Sequence, residues 1–221
     1  MRIAVDVMGG DHAPDAIIRG CVSALSSLTP DDRIVLVGNQ RDIEEILAEQ
    51  RASDPRLEYC WTTEVIGMDE SPVEAVRSKR DSSIVRMMQL GSVKAELRCD
   101  AVLSAGNTGA CVSGATMHMR RLPGVHRPGI CVTFPSFAAT PVVLSDAGAN
   151  PEPRPSHLWQ YALMSETYAR TVLGMPHPRV GLMNIGSEEG KGTDLINQTH
   201  ELLKKTPGTN YVGYVEARDL F

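Results

Sequence analysis

Ala101-Val102-Leu103-Ser104-Ala105-Gly106-Asn107-Thr108-Gly109-Ala110 is the stretch that decides the fold. Three apolar residues read as a compact strand, run directly into a glycine-rich turn, and give way to a helical pattern from about Ala110 to Arg120. Strand, glycine turn and helix in that order are the unit from which a helix-covered parallel sheet is assembled. The same alternation extends in both directions. Toward the N-terminus, strands are predicted at Ile3–Met8, Arg33–Val37 and Leu57–Trp61, with helices at Ala16–Leu28 and Asp42–Arg51. Ser71-Pro72-Val73-Glu74 opens a further helix, with a capping residue, a first-turn proline and an acid at the third position, and the pattern continues over Asp81–Val93. Toward the C-terminus, Ile130–Phe134 and Pro141–Leu144 flank a proline-containing turn and are expected to pair antiparallel. Helix Leu158–Leu173, strand Val180–Ile185, helix Leu195–Lys205 and strand Asn210–Val215 complete the order. The fold class is therefore α/β with a mostly parallel sheet. No repeat, low-complexity tract or charge block divides residues 1–221, so they are expected to form a single domain.

Bulk properties exclude several function classes. Hydrophobic residues at 42% and charged residues at 22% of 221 are ordinary globular usage, neither disordered nor fibrous. A formal charge of −5 opposes a broad nucleic-acid surface, so no nucleic-acid partner is expected. Cys21, Cys60, Cys99, Cys111 and Cys131 lie far apart, with no C-x-x-C pair, and read as free thiols. The apolar run in Met1-Arg2-Ile3-Ala4-Val5-Asp6 is too short for a signal peptide and is stopped by an acid. No apolar stretch reaches the roughly 20 residues of a membrane span. A cytoplasmic location is the expectation.

In an open parallel sheet, ligands bind beyond the carboxyl ends of the strands. Four loops have that placement: Asp6, Gly9, Gly10 and Asp11; Gly106 to Gly109; Asp146, Gly148 and Asn150; and Gly186 to Gly192. Glycine lets the backbone approach a ligand, and free amides at a helix start favour an anion. Gly106-Asn107-Thr108-Gly109 fits best because Asn107 and Thr108 add side-chain donors. A purely structural turn would use the same residues. Lys191 within a glycine loop can meet a phosphate as a point charge, as a solvated loop lysine would also look. Gly186-x-x-x-Gly190-Lys191-Gly192 is one residue short of a Walker A loop and has no Ser or Thr after the lysine. G-x-G-x-x-G and G-x-S-x-G are both absent, which excludes the ordinary nicotinamide fingerprint and the hydrolase nucleophile elbow. The six histidines form no H-E-x-x-H and the cysteines no ligand cluster, so no metal or cofactor is expected, with Asp6 and Asp11 keeping a catalytic metal open as an alternative. Positive charge gathers at Arg77, Lys79 and Arg80, and at Arg120, Arg121, His126 and Arg127, either as solvated faces or as docking sites for an acidic partner.

Taken together, Val5-Asp6-Val7-Met8-Gly9-Gly10-Asp11-His12-Ala13-Pro14, Ser104 to Ala110, Arg127-Pro128, Asp146-x-Gly148-Ala149-Asn150 and Asn184-Ile185-Gly186-x-Glu188-Glu189-Gly190-Lys191-Gly192 resemble the bacterial phosphate acyltransferase family, or acyl-carrier-protein:phosphate transacylases. The resemblance runs in order along the whole chain. It implies a homodimeric three-layer α/β/α sandwich related to isocitrate and isopropylmalate dehydrogenases and to phosphate acetyltransferases. It also implies transfer of a fatty acyl group from acyl carrier protein to orthophosphate, with the acyl phosphate passing to a membrane glycerol-phosphate acyltransferase in phospholipid synthesis. Ser187 stands where the family commonly has an acid, and family members continue past the position of Phe221, so a truncated C-terminus is expected, with peripheral membrane attachment belonging to the full-length form.

Orthophosphate is already a competent nucleophile, so binding and orientation are the main tasks of such a site. Asn107, Lys191 and Asn150 are the expected catalytic residues, with Gly106, Thr108, Gly109, Arg127, Asp6, Gly9, Gly10, Asp11, Asp146 and Gly148 lining the substrate site. Arg77, Lys79, Arg80, Arg120 and Arg121 are the expected carrier-docking residues. Two alternatives remain at this stage: a catalytically silent fragment or dimerisation module of the same fold, and a phosphate acetyltransferase-like enzyme using acyl-coenzyme A.

Overall fold

The computed structural model describes residues 1–137, 140–186, 188 and 191–220. Two compact units divide the chain, Met1–Arg121 and the segment from Leu122 onward.

Four parallel strands form the sheet of the first unit: β1 (Arg2–Asp6), β2 (Arg33–Gly38), β3 (Leu57–Trp61) and β4 (Ala101–Leu103), in the order β3-β2-β1-β4. Val5 pairs with Leu36 on one side and Leu103 on the other. Side chains alternate between two faces of a strand, so each strand feeds two cores. Val5, Val7, Ile34, Leu36 and Leu57 pack against Ile18 and Cys21 of α1 (Asp15–Ala24) and Ile43 and Leu47 of α2 (Gln40–Glu49). Ala4, Val35 and Val37 face the other way, onto Met87 and Met88 of α4 (Ser83–Leu90). A third cluster joins Ala75 and Val76 of α3 (Pro72–Ser78), Ile84 and Val85 of α4, and Ala110 of α5 (Thr108–Gly114). Helices cover both faces of a parallel sheet, as the alternation predicts.

Several ends differ from expectation for local reasons. β1 stops at Asp6 because its carboxylate Oδ1 accepts the Met8 amide at 3.1 Å and turns the chain. α1 tightens to a 3-10 turn at Leu25–Ser27, where Ser26 donates to Ser23 O at 2.9 Å. α4 ends at Leu90, before Gly91, rather than at Val93. Asn39 caps α2 by accepting the Asp42 amide, and Ser82 caps α4 by accepting that of Val85.

In the second unit, β5 (Cys131–Phe134) and β6 (Val142–Ser145) pair antiparallel, as predicted, with Val132 opposite Leu144. α6 (Pro155–Thr171) follows and buries Tyr161 and Ala169. β7 (Val180–Met183), α7 (Asp194–Lys204) and β8 (Tyr211–Val215) form a βαβ unit with parallel strands. α6 begins three residues before the predicted Leu158, because Pro155 sits at the first helical position, where its missing N–H costs nothing. A short 3-10 turn, Ala217–Leu220, comes after β8.

Candidate functional site

The chain builds β1, β2 and β3 outward on one side of β1, then returns to lay β4 on the other side. The order reverses between β1 and β4, which makes this the switch point, the place where doubly wound sheets bind ligands. The Asp6 and Ser104 loops meet at this point. Asp6, fully buried, accepts the Ser104 hydroxyl at 2.7 Å, and Ser104 in turn accepts the Gly106 amide at 3.0 Å. Gly9 has no room for a side chain: a Cβ would lie 2.5 Å from Asp6 Oδ2 and 2.8 Å from the Gly106 Cα. Gly10, at φ +114°, turns the loop against Ala105. Asp11 is exposed and Asp6 is committed to Ser104 and Met8.

Asn107 is buried, and both of its side-chain polar atoms have partners. Its Oδ1 accepts the Ala110 amide at 3.0 Å, capping α5, while its Nδ2 reaches Gly67 O at 3.1 Å and both Met68 O and Glu70 O at 3.2 Å. The side chain therefore ties the turn to the 67–70 loop and has no donor directed at a ligand. Pro72 packs against Gly109, where a Cβ would come within 2.5 Å of its ring. What the turn presents outward is the exposed Thr108 side chain and the amides of Thr108 and Gly109, which by their first-turn position have no intrahelical acceptor.

In the second unit, Asp146 organises its own loop. Oδ1 accepts the amides of Ile130 at 2.8 Å and Ala149 at 3.0 Å, and Oδ2 accepts the Asn150 amide at 3.0 Å. Asn150 Nδ2 lies 2.9 Å from Asp146 Oδ2 and 2.8 Å from both Pro128 O and the Tyr161 hydroxyl. Burial, with Asp146 nearby, pushes the Tyr161 phenol above its ordinary value, so it is a neutral partner at pH 7. Arg127 donates to Asn150 Oδ1 at 3.5 Å. Gly148, at φ +111°, is exposed at the tip of the loop.

Of the Gly186–Gly192 loop, Ser187, Glu189 and Gly190 lie outside the described residues. Lys191 forms an ion pair with Glu188, and Asn184 closes the loop neck by donating to Gly186 O at 3.0 Å and Lys191 O at 2.9 Å. An apolar cavity of about 1030 Å³ also occupies the second unit, with Val142, Leu144, Leu158 and Leu182 in its walls. Asp146 lines it, whereas Arg127, Asn150 and Lys191 do not.

Among the basic clusters, Lys79 is committed to Glu70 at 2.6 Å and Val65 O at 2.8 Å. Arg77, Arg80, Arg120 and Arg121 are exposed. Asn107 and the other first-loop residues fall in the first unit, and Arg127, Asp146, Gly148, Asn150 and Lys191 in the second. Sequence reasoning passed over Ser104, which bridges the two crevice loops, and Arg154 and His157 at the start of α6. Proline after Arg154 was the available signal for that helix start.

The fold is that of an open α/β protein with glycine-rich loops at its switch point. A phosphotransacetylase crystal structure from Streptococcus pyogenes shares this architecture at a TM-score of 0.68 and 16% identity, over 98% of this chain and 68% of that one, a likeness of fold alone. The chain belongs to the fatty acid synthesis protein family, whose model matches residues 1–221. Proteins named phosphate acyltransferase from Bacillus subtilis and Halalkalibacterium halodurans are each 44% identical to it over 220 residues, and one from Dictyoglomus turgidum is 39% identical over 221. Each match covers 100% of this chain, and the chain spans 63–64% of those relatives' lengths. The expected kinship with phosphate acyltransferases is met. No helix among the described residues is long and apolar enough to cross a membrane.

Proposed function

We propose that this chain takes part in transferring a fatty acyl group from the thioester of acyl carrier protein to orthophosphate, giving an acyl phosphate for phospholipid synthesis. The observation that carries the reading is identity of 39–44% along the entire chain with proteins named phosphate acyltransferase. In the reaction a phosphate oxygen attacks the thioester carbonyl carbon, a C–O bond replaces the C–S bond, and the proton that phosphate gives up goes to the departing thiolate. No group on the protein needs to form a covalent bond, so positioning supplies the rate.

In this reading each unit contributes residues to the reaction. The amides of Thr108 and Gly109 and the Thr108 hydroxyl hold phosphate in the β1/β4 crevice, on a turn fixed by Asn107, with Asp6, Gly9, Gly10, Asp11 and Gly106 shaping the floor. In the second unit, Arg127 and Lys191 are the residues that supply positive charge. Also in the second unit, the Gly148 loop, held by Asp146 and Asn150, offers a backbone donor of the kind that stabilises an oxyanion by about 3–4 kcal/mol. Arg77, Arg80, Arg120 and Arg121 attract an acidic carrier. A cytoplasmic homodimer delivers the product to a membrane glycerol-phosphate acyltransferase, with the longer form peripheral at the membrane.

The likeness of fold to a phosphotransacetylase favours a second reading, in which acyl-coenzyme A is the donor. Hydroxamate trapping of acyl phosphate decides between them, run on this chain and on a protein of the relatives' length with each donor and varied phosphate. Phosphate-dependent product from acyl carrier protein is expected. Product from acyl-coenzyme A alone would select the second reading, and none from either donor at either length would overturn both.

A further inference from the structure

The apolar cavity of the second unit follows strand edges and not a strand face. Side chains of a strand alternate between its two faces, so a cavity against one face meets every second residue. Here all four residues of β6, Val142 to Ser145, and all four of β7, Val180 to Met183, line it. β5 supplies none of its residues, and β8 only Val212 and Val215. β6 pairs with β5 alone and β7 with β8 alone, so among the described residues each keeps one edge without a strand partner. Those two edges therefore border one shared cavity of about 1030 Å³.

Both edges lack the features that keep an outer strand from pairing. Edge strands are ordinarily blunted by charge, by proline or by a covering element. Val142-Val143-Leu144-Ser145 and Val180-Gly181-Leu182-Met183 carry neither a charge nor a proline. Continuous apolar runs of this kind belong to strands buried on both faces inside a sheet. β6 is nevertheless only half-buried along its whole length, and Met183 of β7 is 38% exposed. α6 and α7 pack on each other, and Leu158, Ala162 and Ala169 of the first and Ile196 and Leu203 of the second give the cavity an apolar helical wall. Glu166 on that wall is paired with Arg170 at 2.8 Å.

We propose that the cavity is a slot for one extended polypeptide segment, which pairs with the free edges of β6 and β7 and joins the two pairs of strands into one sheet. Four residues at about 3.3 Å each make the slot roughly 13 Å long, so a strand of ordinary length, about five residues, spans it. The segment's amides and carbonyls satisfy both edges, and those of its alternate side chains that face α6 and α7 are apolar. Its source is the additional length of the relatives, of which this chain spans 63–64%. Two-stranded pairs are marginal by themselves, and one sheet built from both pairs and the segment falls in the ordinary range of about 4–6 strands. The inference concerns the assembly of the second unit and does not depend on the acyl-transfer reading.

Amide hydrogen exchange of the 221-residue chain, followed by NMR, is measured alone and with the separately expressed part of the Bacillus subtilis phosphate acyltransferase that has no counterpart in this chain. Saturable binding is expected, with exchange in Val142–Ser145 and Val180–Met183 slowed by at least about tenfold and exchange in β3, an outer strand of the first unit, unchanged. Val142→Lys and Met183→Lys set a charge on either strand and should each weaken binding by at least about tenfold, whereas Val93→Lys in the first unit should not. Met183 and Val93 are exposed, so these two variants are compatible with folding, and thermal unfolding checks each variant. Should Val142→Lys unfold, Met183→Lys and the exchange of the parent chain decide. No binding, protection of one strand alone, or affinity indifferent to a folded Met183→Lys overturns the proposal. Protection that grows with the concentration of this chain alone assigns the slot to a second copy, and protection by decanoate but not by the polypeptide assigns it to an apolar small molecule; either also overturns it. Because the readout is binding and exchange, it stands or falls separately from any acyl phosphate assay.

Discussion

Replacing Asn107 with alanine tests whether this residue grips a ligand or holds the switch-point turn together. The substitution deletes the acceptor of the Ala110 amide and the donor shared by Gly67 O, Met68 O and Glu70 O. Loss of a helix cap costs about 1 kcal/mol. Two amide hydrogens withdrawn from carbonyls cost about 1 kcal/mol each, so the total is about 3 kcal/mol. Against a stability of about 5–15 kcal/mol, that is a large fraction. At about 2–4 °C per kcal/mol for a chain of this size, the melting midpoint should fall by about 6–12 °C. Asn107→Asp keeps the capping acceptor but sets a carboxylate among three carbonyl oxygens, and should be destabilised at least as much. Both variants should also raise the phosphate concentration needed for half-maximal rate in the longer protein, because the Thr108 and Gly109 amides lose their mounting. The assay pairs thermal unfolding with phosphate saturation. A variant that melts within about 1 °C of the parent, yet needs about tenfold more phosphate, would refute the mounting account and assign Asn107 to the ligand directly.

Gly9→Ala and Gly20→Ala should have opposite signs. At Gly9 the new methyl meets backbone at 2.8 Å, which cannot swing aside, and overpacking should cost about 1–3 kcal/mol. At Gly20, on the exposed face of α1 with nothing within 4 Å, the change should add about 0.5–1 kcal/mol of helix propensity. Urea unfolding of the two variants checks this, and an unaltered Gly9→Ala would dismiss the tight loop contact. Asp54 is held at about 2 by hydrogen bonds from the Arg56 side chain and amide. Its unfolded value is about 3.9, so between these limits the unfolded state binds more protons and stability rises with pH. The advantage of the parent over Asp54→Asn should therefore be full above about pH 4 and fade toward about pH 2. A gap that stays constant across that window in denaturant melts would show that the Asp54–Arg56 contact contributes nothing to the linkage.

The strands were legible because burial on both faces leaves a mark that no local choice can hide. Ile34 to Val37 is apolar throughout since Ile34 and Leu36 feed one core while Val35 and Val37 feed the other. Helix ends were less legible, and for an identifiable reason. Serines near residue 26 and the proline at 155 act through single backbone groups, and a periodic pattern averages over them. The division into two units left no composition signal, because Arg120 to Gly124 reads as an ordinary basic turn.

Site residues divide along a different line: the sequence reveals which charges and amides exist, and only the fold reveals which are already satisfied. Lys191 and Lys79 carried the expected signature of anion contacts, yet Glu188 lies three positions before the first and Glu70 nine before the second, and each pairs with its lysine. Asn107 could be read equally as cap or ligand, and the carbonyls that settle its hydrogen bonds come from residues about forty positions away. Arg154 and His157 drew no notice, because nothing in Arg154-Pro155-Ser156-His157 says that the ring turns Nδ1 onto the Arg154 amide. An anion approaching this chain responds to uncompensated donors and not to the count of basic residues. By that measure the Thr108 and Gly109 amides, which have no intrahelical acceptor, offer an oxyanion more than the paired lysines do.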